Sequence, residues 1–389
     1  MMMQNWKRKL GYAAVFGISF SLIGLGSCGS PAKQTAPAKT ESAKMSGTTY
    51  KSTLYIAGMG GHVASAKVLI DPSLDQPIQM QKLSRIKIGL GKEGPTQAKI
   101  THPVHDPRID NKDRNVMFWA TYKIDPNTNS MHVGKHDLTS KKEIMSIDAP
   151  MDEKVTQTGS IYCASAQTAE YYMPIAMTHP GYIDIYNKSD LSLVRKVFLE
   201  GTEATIGAPY KFYHGTNSND MSKLLLTINE TESDHGKFVG KLHIFLLDMN
   251  EFVKGNVKVL KKTVIDGPEK GYIGFRMYFS PDDKVISIAA ANQLLFLNAE
   301  TLELNNRQDM PPGTQAHDAI FTPDGKFVIA TSRTKMDDTI RPLDGEVMLY
   351  DVANKHFVGK ATSTCLTCHK DEDIEGKATL CGIDANWDI

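Results

Sequence analysis

The chain has 389 residues, 41% of them apolar and 23% charged, the proportions of a water-soluble globular protein. Its 44 basic residues balance 44 acidic ones, so there is no excess of positive charge of the kind a nucleic-acid surface needs. Beyond the N-terminus no apolar stretch is long enough to span a bilayer.

Lys7, Arg8 and Lys9 open the chain with positive charge, and Leu10 to Leu25 form an apolar stretch of 16 residues. That is short for a membrane span and normal for the middle of an export signal. It ends in Leu25-Gly26-Ser27-Cys28, which resembles the lipobox of bacterial lipoproteins. The resemblance implies cleavage of residues 1–27 and a diacylglyceryl group on Cys28, anchoring the protein to a membrane through its N-terminal lipid. An ordinary cleaved signal that discards Cys28 is the simpler alternative. Either way the chain is exported, to the cell envelope, at the outer membrane or the periplasmic face. Losing Lys7, Arg8 and Lys9 takes the balanced 44 and 44 to a net charge of −3. Residues 28–49 are rich in Ser, Pro, Ala, Thr and Lys and read as a flexible tether.

Residues 50–361 read as strands. Runs such as Lys223–Ile228 and Lys284–Ala289 are short, apolar and bounded by polar turns. The clearest unit is residues 316–330, in which His317-Asp318 leads through Phe321-Thr322-Pro323-Asp324-Gly325 to a second strand. Residues 275–289 repeat it with Pro281-Asp282-Asp283 in the turn. Third strands are expected at Tyr182–Tyr186, Leu242–Leu247, Gln293–Asn298 and Glu346–Asp351. Pro-Asp-Gly presets a tight turn and so marks a hairpin. Units begin near residues 50, 100, 155, 205, 270 and 314, and a four-stranded unit at that spacing predicts an all-β propeller of six visible blades. A seventh forms only if termini or long loops pair, and a pair of sandwiches is the structural alternative. The phrase from His317 to Lys326 resembles the YVTN-type propellers, which include lactonase-like proteins and the propeller domains of haem nitrite reductase and nitrous oxide reductase. The resemblance covers about 300 residues and implies a fold, with function left open.

On a propeller frame, His105-Asp106 and His317-Asp318 fall at one inner-strand position in two blades. His102 lies just upstream, and His62, His179 and His235 fall in connections between second and third strands. Six of the twelve histidines thus map to one channel mouth, where His317, His105, His102 and His179 are candidate distal haem ligands or ligands to a second metal. The alternative is structural, with such histidines bonding the neighbouring blade.

Residues 362–389 hold Cys365-Leu366-Thr367-Cys368-His369. C-x-x-C-H is the attachment signature of haem c. With 5 Cys and 12 His in the chain, chance supplies it on the order of once in five hundred sequences of this composition. Cys365 and Cys368 are the expected thioether sites and His369 the proximal iron ligand. Residues 370–389 contain no Met and no His, so a porphyrin there must pack on the propeller and take any sixth ligand from upstream. Asp371, Glu372, Asp373 and Glu375 offer charge for steering a redox partner protein. Cys365, Cys368 and Cys381 with a histidine could instead hold structural zinc, and Cys163 and Cys381 are candidates for one disulfide. Together these features predict a lipid-anchored single-haem cytochrome for extracytoplasmic electron transfer. A propeller oxidoreductase that uses the haem as a relay, and a non-enzymatic binding propeller with zinc or a disulfide at the C-terminal cysteines, are the alternatives.

Overall fold

Among the described residues, twenty-four strands pair into six antiparallel sheets of four. The computed structural model describes residues 48–58, 62–88, 104–125, 128, 130–156, 162–234, 236–334, 345–364 and 380–388. The expected export signal, tether, Cys28, His102, His235 and the Cys365–His369 motif lie outside these. From the channel outward, blade 2 runs Val104–Ile109, Val116–Thr121, Ser130–Asp137 and Lys142–Pro150, and blade 3 runs Tyr162–Gln167, Tyr171–Ala176, Tyr182–Asn187 and Leu193–Phe198. Blade 4 runs Tyr210–Asn217, Lys223–Thr231, Phe238–Asp248 and Val259–Asp266. Blade 5 runs Met277–Phe279, Val285–Ala290, Gln293–Asn298 and Leu304–Asp309, and blade 6 runs Thr314–Phe321, Phe327–Thr334, Glu346–Asp351 and His356–Ser363.

Blade 1 closes the ring. Its three outer strands are Tyr50–Gly58, His62–Ile70 and Ile78–Lys87, and its innermost strand is the C-terminal Leu380–Trp387. Each innermost strand packs beside the next, around to blade 1 again. The protein is therefore a six-bladed β-propeller, as the spacing of turns predicts. The first and last described strands pair, and they complete the first blade instead of adding a seventh. The propeller also reaches past residue 361: Leu380–Trp387, expected in a separate C-terminal segment, is one of its strands.

The core lies between blades. Six apolar clusters fill the six seams, one per neighbouring pair. Side chains alternate along a strand, so Leu54 and Ile56 face blade 6 while Tyr55 and Ala57 face blade 2. In blade 4, Leu224 and Leu226 pack toward blade 3 and Leu225 toward blade 5. Apolar neighbours on both faces explain why second strands read as continuous runs. Burial fades outward: Val104–Ile109 is buried throughout, whereas Leu304–Asp309 is mostly exposed.

Candidate functional site

The same irregularity recurs where innermost strands begin. In blade 2, Val104 pairs with Thr121 and Asp106 with Ala120, which leaves His105 as an extra residue. Cys163 is the extra residue in blade 3 and His317 in blade 6. In blade 1, Cys381 and Gly382 together oppose the stretch between Ile56 and Gly58. A bulge of this kind re-aims a side chain, and here it gathers chemistry at one end of the channel. His105, Cys163, His317 and Cys381 are all buried. One ligand atom each from His105, His317 and Cys381 lies within 4.8 Å of the others.

Gly382 is required at its bulge. Its φ is +122°, and a Cβ would stand 2.6 Å from the His105 carbonyl oxygen. Its amide donates instead to Asp318 Oδ2 at 2.9 Å. That carboxylate is the hub of the site: Oδ2 also meets His317 Nδ1 at 2.8 Å and accepts from Thr331 Oγ1 at 3.1 Å, and Oδ1 accepts from the Tyr278 hydroxyl at 2.7 Å. Arg276, just before the first strand of blade 5, donates to Asp106 Oδ1 and to the carbonyls of His105 and Cys163. Its Nε lies 3.6 Å from Asp318 Oδ1.

Burial opposes every charge here, and the partners decide which charges survive. For Asp318, burial is outweighed by His317, Arg276 and its hydrogen bonds, which hold the carboxyl well below the usual carboxylate range. Asp106 and Asp318 likewise overcome burial to keep Arg276 protonated. Burial, reinforced by the charge of His317 and Arg276, pushes His105 and His214 well below the usual imidazole value. Burial raises the Cys163 thiol far above its ordinary value.

The structure brings together His105 and His317 of the predicted histidines and adds four side chains that sequence reasoning did not assign there, namely His214, Arg276, Cys163 and Cys381. No disulfide joins those two cysteines; Cys163 Sγ lies 3.1 Å from His214 Nε2. The rings of His105 and Tyr122 stack at 4.4 Å, and those of His317 and Phe275 at 4.8 Å. His105 also reaches the neighbouring blade, with Nδ1 3.5 Å from the Cys163 carbonyl oxygen. His179 stands apart between Glu200 and Asp234, at 3.4 and 3.3 Å, against Tyr210. His62 is buried at the start of the third strand of blade 1. A signal for the missed groups existed: aligning the first strands puts Cys163 and Cys381 in register with His105 and His317.

Cys365, Cys368 and His369 fall between the last strand of blade 6 and the innermost strand of blade 1. Thr364 donates its amide to the Gly345 carbonyl at 2.9 Å, and the Leu380 side chain packs so closely on Gly345 that a Cβ there would meet it at 2.2 Å. The chain thus leaves and returns at one point, with residues 365–379 between two buried ends. A cavity of about 330 Å³ opens at the other mouth, lined by residues such as Arg108, Gln167, Asn217, Asp384 and Trp387.

Fold and site define a six-bladed propeller with a buried imidazole, thiol and guanidinium cluster in its channel. No family model matches the chain, and no curated protein is similar in sequence. Among solved structures it is similar to a periplasmic gluconolactonase, PpgL, of Pseudomonas aeruginosa, at 13% identity and a TM-score of 0.49 over 81% of this chain and 83% of that one. It is also similar to the hydrazine synthase of Kuenenia stuttgartiensis, at 11% identity and a TM-score of 0.44 over 65% of this chain. The match spans 64% of that protein's chain. A third is the dihydro-haem d1 dehydrogenase NirN in complex with DHE, at 15% identity and a TM-score of 0.40 over 85% of this chain and 74% of that one. These are likenesses of architecture.

Proposed function

We propose that the chain is an exported, lipid-anchored propeller carrying one covalent haem c, which passes electrons to and from a redox partner protein. The observation that supports this reading is the run Cys365-Leu366-Thr367-Cys368-His369, set in a fifteen-residue stretch whose two buried ends meet at Gly345. Cys365 and Cys368 supply the thiols for thioether attachment and His369 the proximal nitrogen; the haem, when bound, supplies one-electron redox chemistry. Asp371, Glu372, Asp373 and Glu375 give this stretch a negative charge suited to a cationic partner. Cys28 carries the lipid and residues 28–49 give the domain reach from the membrane surface.

Expression of the full chain in a host that matures c-type cytochromes tests it. The pyridine haemochrome spectrum is expected to be of the c type, with one haem per chain, and to vanish in Cys365→Ser/Cys368→Ser. Wild-type protein without that spectrum overturns the haem reading. A carrier with two strong axial ligands leaves reduced iron closed to carbon monoxide, so carbon monoxide binding would favour the relay of an oxidoreductase. Cys28→Ser is expected to move the protein to the soluble fraction, and retention in membranes rules out the lipid anchor.

A further inference from the structure

We infer that the channel mouth is a second metal site, for a cation of the copper and zinc class, ligated by the imidazoles of His105 and His317 and the thiolate of Cys381. It stands independently of the haem reading, because none of its ligands belongs to the Cys365–His369 run.

The three donors come from blades 2, 6 and 1, and each is at most 1% exposed. Their ligand atoms lie within 4.8 Å of one another. Metal bonds of about 2.0–2.3 Å in a trigonal arrangement put donors about 3.7 Å apart, so the site closes on an ion by movements of about 1 Å or less. His105 Nε2 is buried and has no hydrogen-bond partner among the described residues, the situation of a ligand nitrogen. His317 is oriented as ligand imidazoles commonly are: its Nδ1 is held by the Asp318 carboxylate at 2.8 Å, the kind of bond that fixes the ring of a metal-binding histidine. Asp318 is itself fixed by Thr331, Tyr278 and the Gly382 amide.

Charge points the same way. Arg276 is one cation facing two buried carboxylates, Asp106 and Asp318, and Asp106 Oδ2 is also without a hydrogen-bond partner among the described residues. When His317 binds it as a neutral imidazole, a divalent cation less the charge of the Cys381 thiolate balances that excess where water does not reach. Two imidazoles and a thiolate favour copper or zinc over magnesium or calcium, which take oxygen ligands. Three protein ligands leave a fourth position for a small molecule.

The test uses the full chain carrying Cys365→Ser/Cys368→Ser, so that neither haem nor those thiols contribute. After stripping with a chelator, the protein is titrated with cobalt(II), then zinc(II) and copper(I). One equivalent of cobalt is expected to bind with a thiolate-to-metal charge-transfer band, and zinc to displace it. Cys381→Ser should abolish the band and weaken zinc at least about 100-fold; His105→Gln should keep the band with weakened binding. Cys163→Ser should keep the band, and His356→Ala, an exposed histidine, should change nothing. Circular dichroism establishes that each variant folds; if Cys381→Ser does not, His105→Gln decides, and unaltered zinc affinity there overturns the proposal. It is overturned as well if the parent chain takes up no stoichiometric cobalt or zinc, or if the band is lost in Cys163→Ser and kept in Cys381→Ser. A chain that binds cobalt in this way while the wild type lacks a haemochrome spectrum keeps this site and loses the haem.

Discussion

Arg276 shows how much one side chain can hold together. It is 2% exposed and touches groups from blades 2, 3 and 6 while belonging to blade 5. Removing one partner of a buried ion network leaves the others uncompensated, which costs about 3–5 kcal/mol. Arg276→Met is therefore expected to lower the melting temperature by on the order of 10 °C; a melt within 2 °C or so of wild type would show that Asp106 and Asp318 do not depend on it. Legibility was uneven at this scale. His105 and His317 could be found because each precedes an Asp in a strand-leading phrase. Cys163, Cys381 and His214 lack that flag, and Arg276 precedes a strand of only three residues. Their meeting depends on bulges and on ring closure, and the one trace in the sequence, the shared register of Cys163 and Cys381 with the two histidines, shows only when first strands of separate blades are aligned.

Hairpins carry the next layer. Pro-Asp-Gly and Pro-Asp-Asp predict the inner turns, and the chain obliges with φ of +71° at Gly325 and +56° at Asp283. Turn aspartates accept amides two or three residues on: Asp71 from Ser73, Asp137 from Ser140, Asp190 from Ser192 and, in the Pro-Asp-Asp turn itself, Asp282 from Lys284. Hydrogen bonds, led by those of Ser73, Ser140, Ser192 and Ser280 respectively, hold these four carboxyls below their ordinary values. A carboxyl lowered by folding stabilises the native state above its unfolded value of about 4 and loses that contribution as pH falls through the folded value. Melting temperature is thus expected to decline below about pH 4, and less steeply when all four are changed to Asn, which keeps an acceptor without a titrating charge. An unchanged slope would assign acid sensitivity to other groups. Third strands are equally legible, Gln293–Asn298 and Glu346–Asp351 falling where the alternation puts them. Outer strands such as Lys142–Pro150, mostly exposed, have little apolar period to read.

Closure is a property of the whole ring. Leu380–Trp387 pairs with Tyr50–Gly58 across more than three hundred residues, and Asp384 Oδ2 accepts the Ile109 amide at 2.8 Å, tying blade 1 to blade 2. A chain ending at Thr379 would leave one seam open and an unpaired edge on Tyr50–Gly58, a template for association. It is expected to elute as oligomers on size exclusion and to melt well below the full chain; a monomer of unchanged stability would mean that the final strand is dispensable. Repetition is written locally, so the sequence by itself determined the all-β class, the six units and their turns, and it carries the Cys-x-x-Cys-His run in full. Only the tertiary structure decided that the last strand belongs to the first blade, and that two histidines and a cysteine from three blades share one buried mouth. The physical reason is that ring closure and bulge direction are set by contacts between residues remote in the chain, where no local spacing records them.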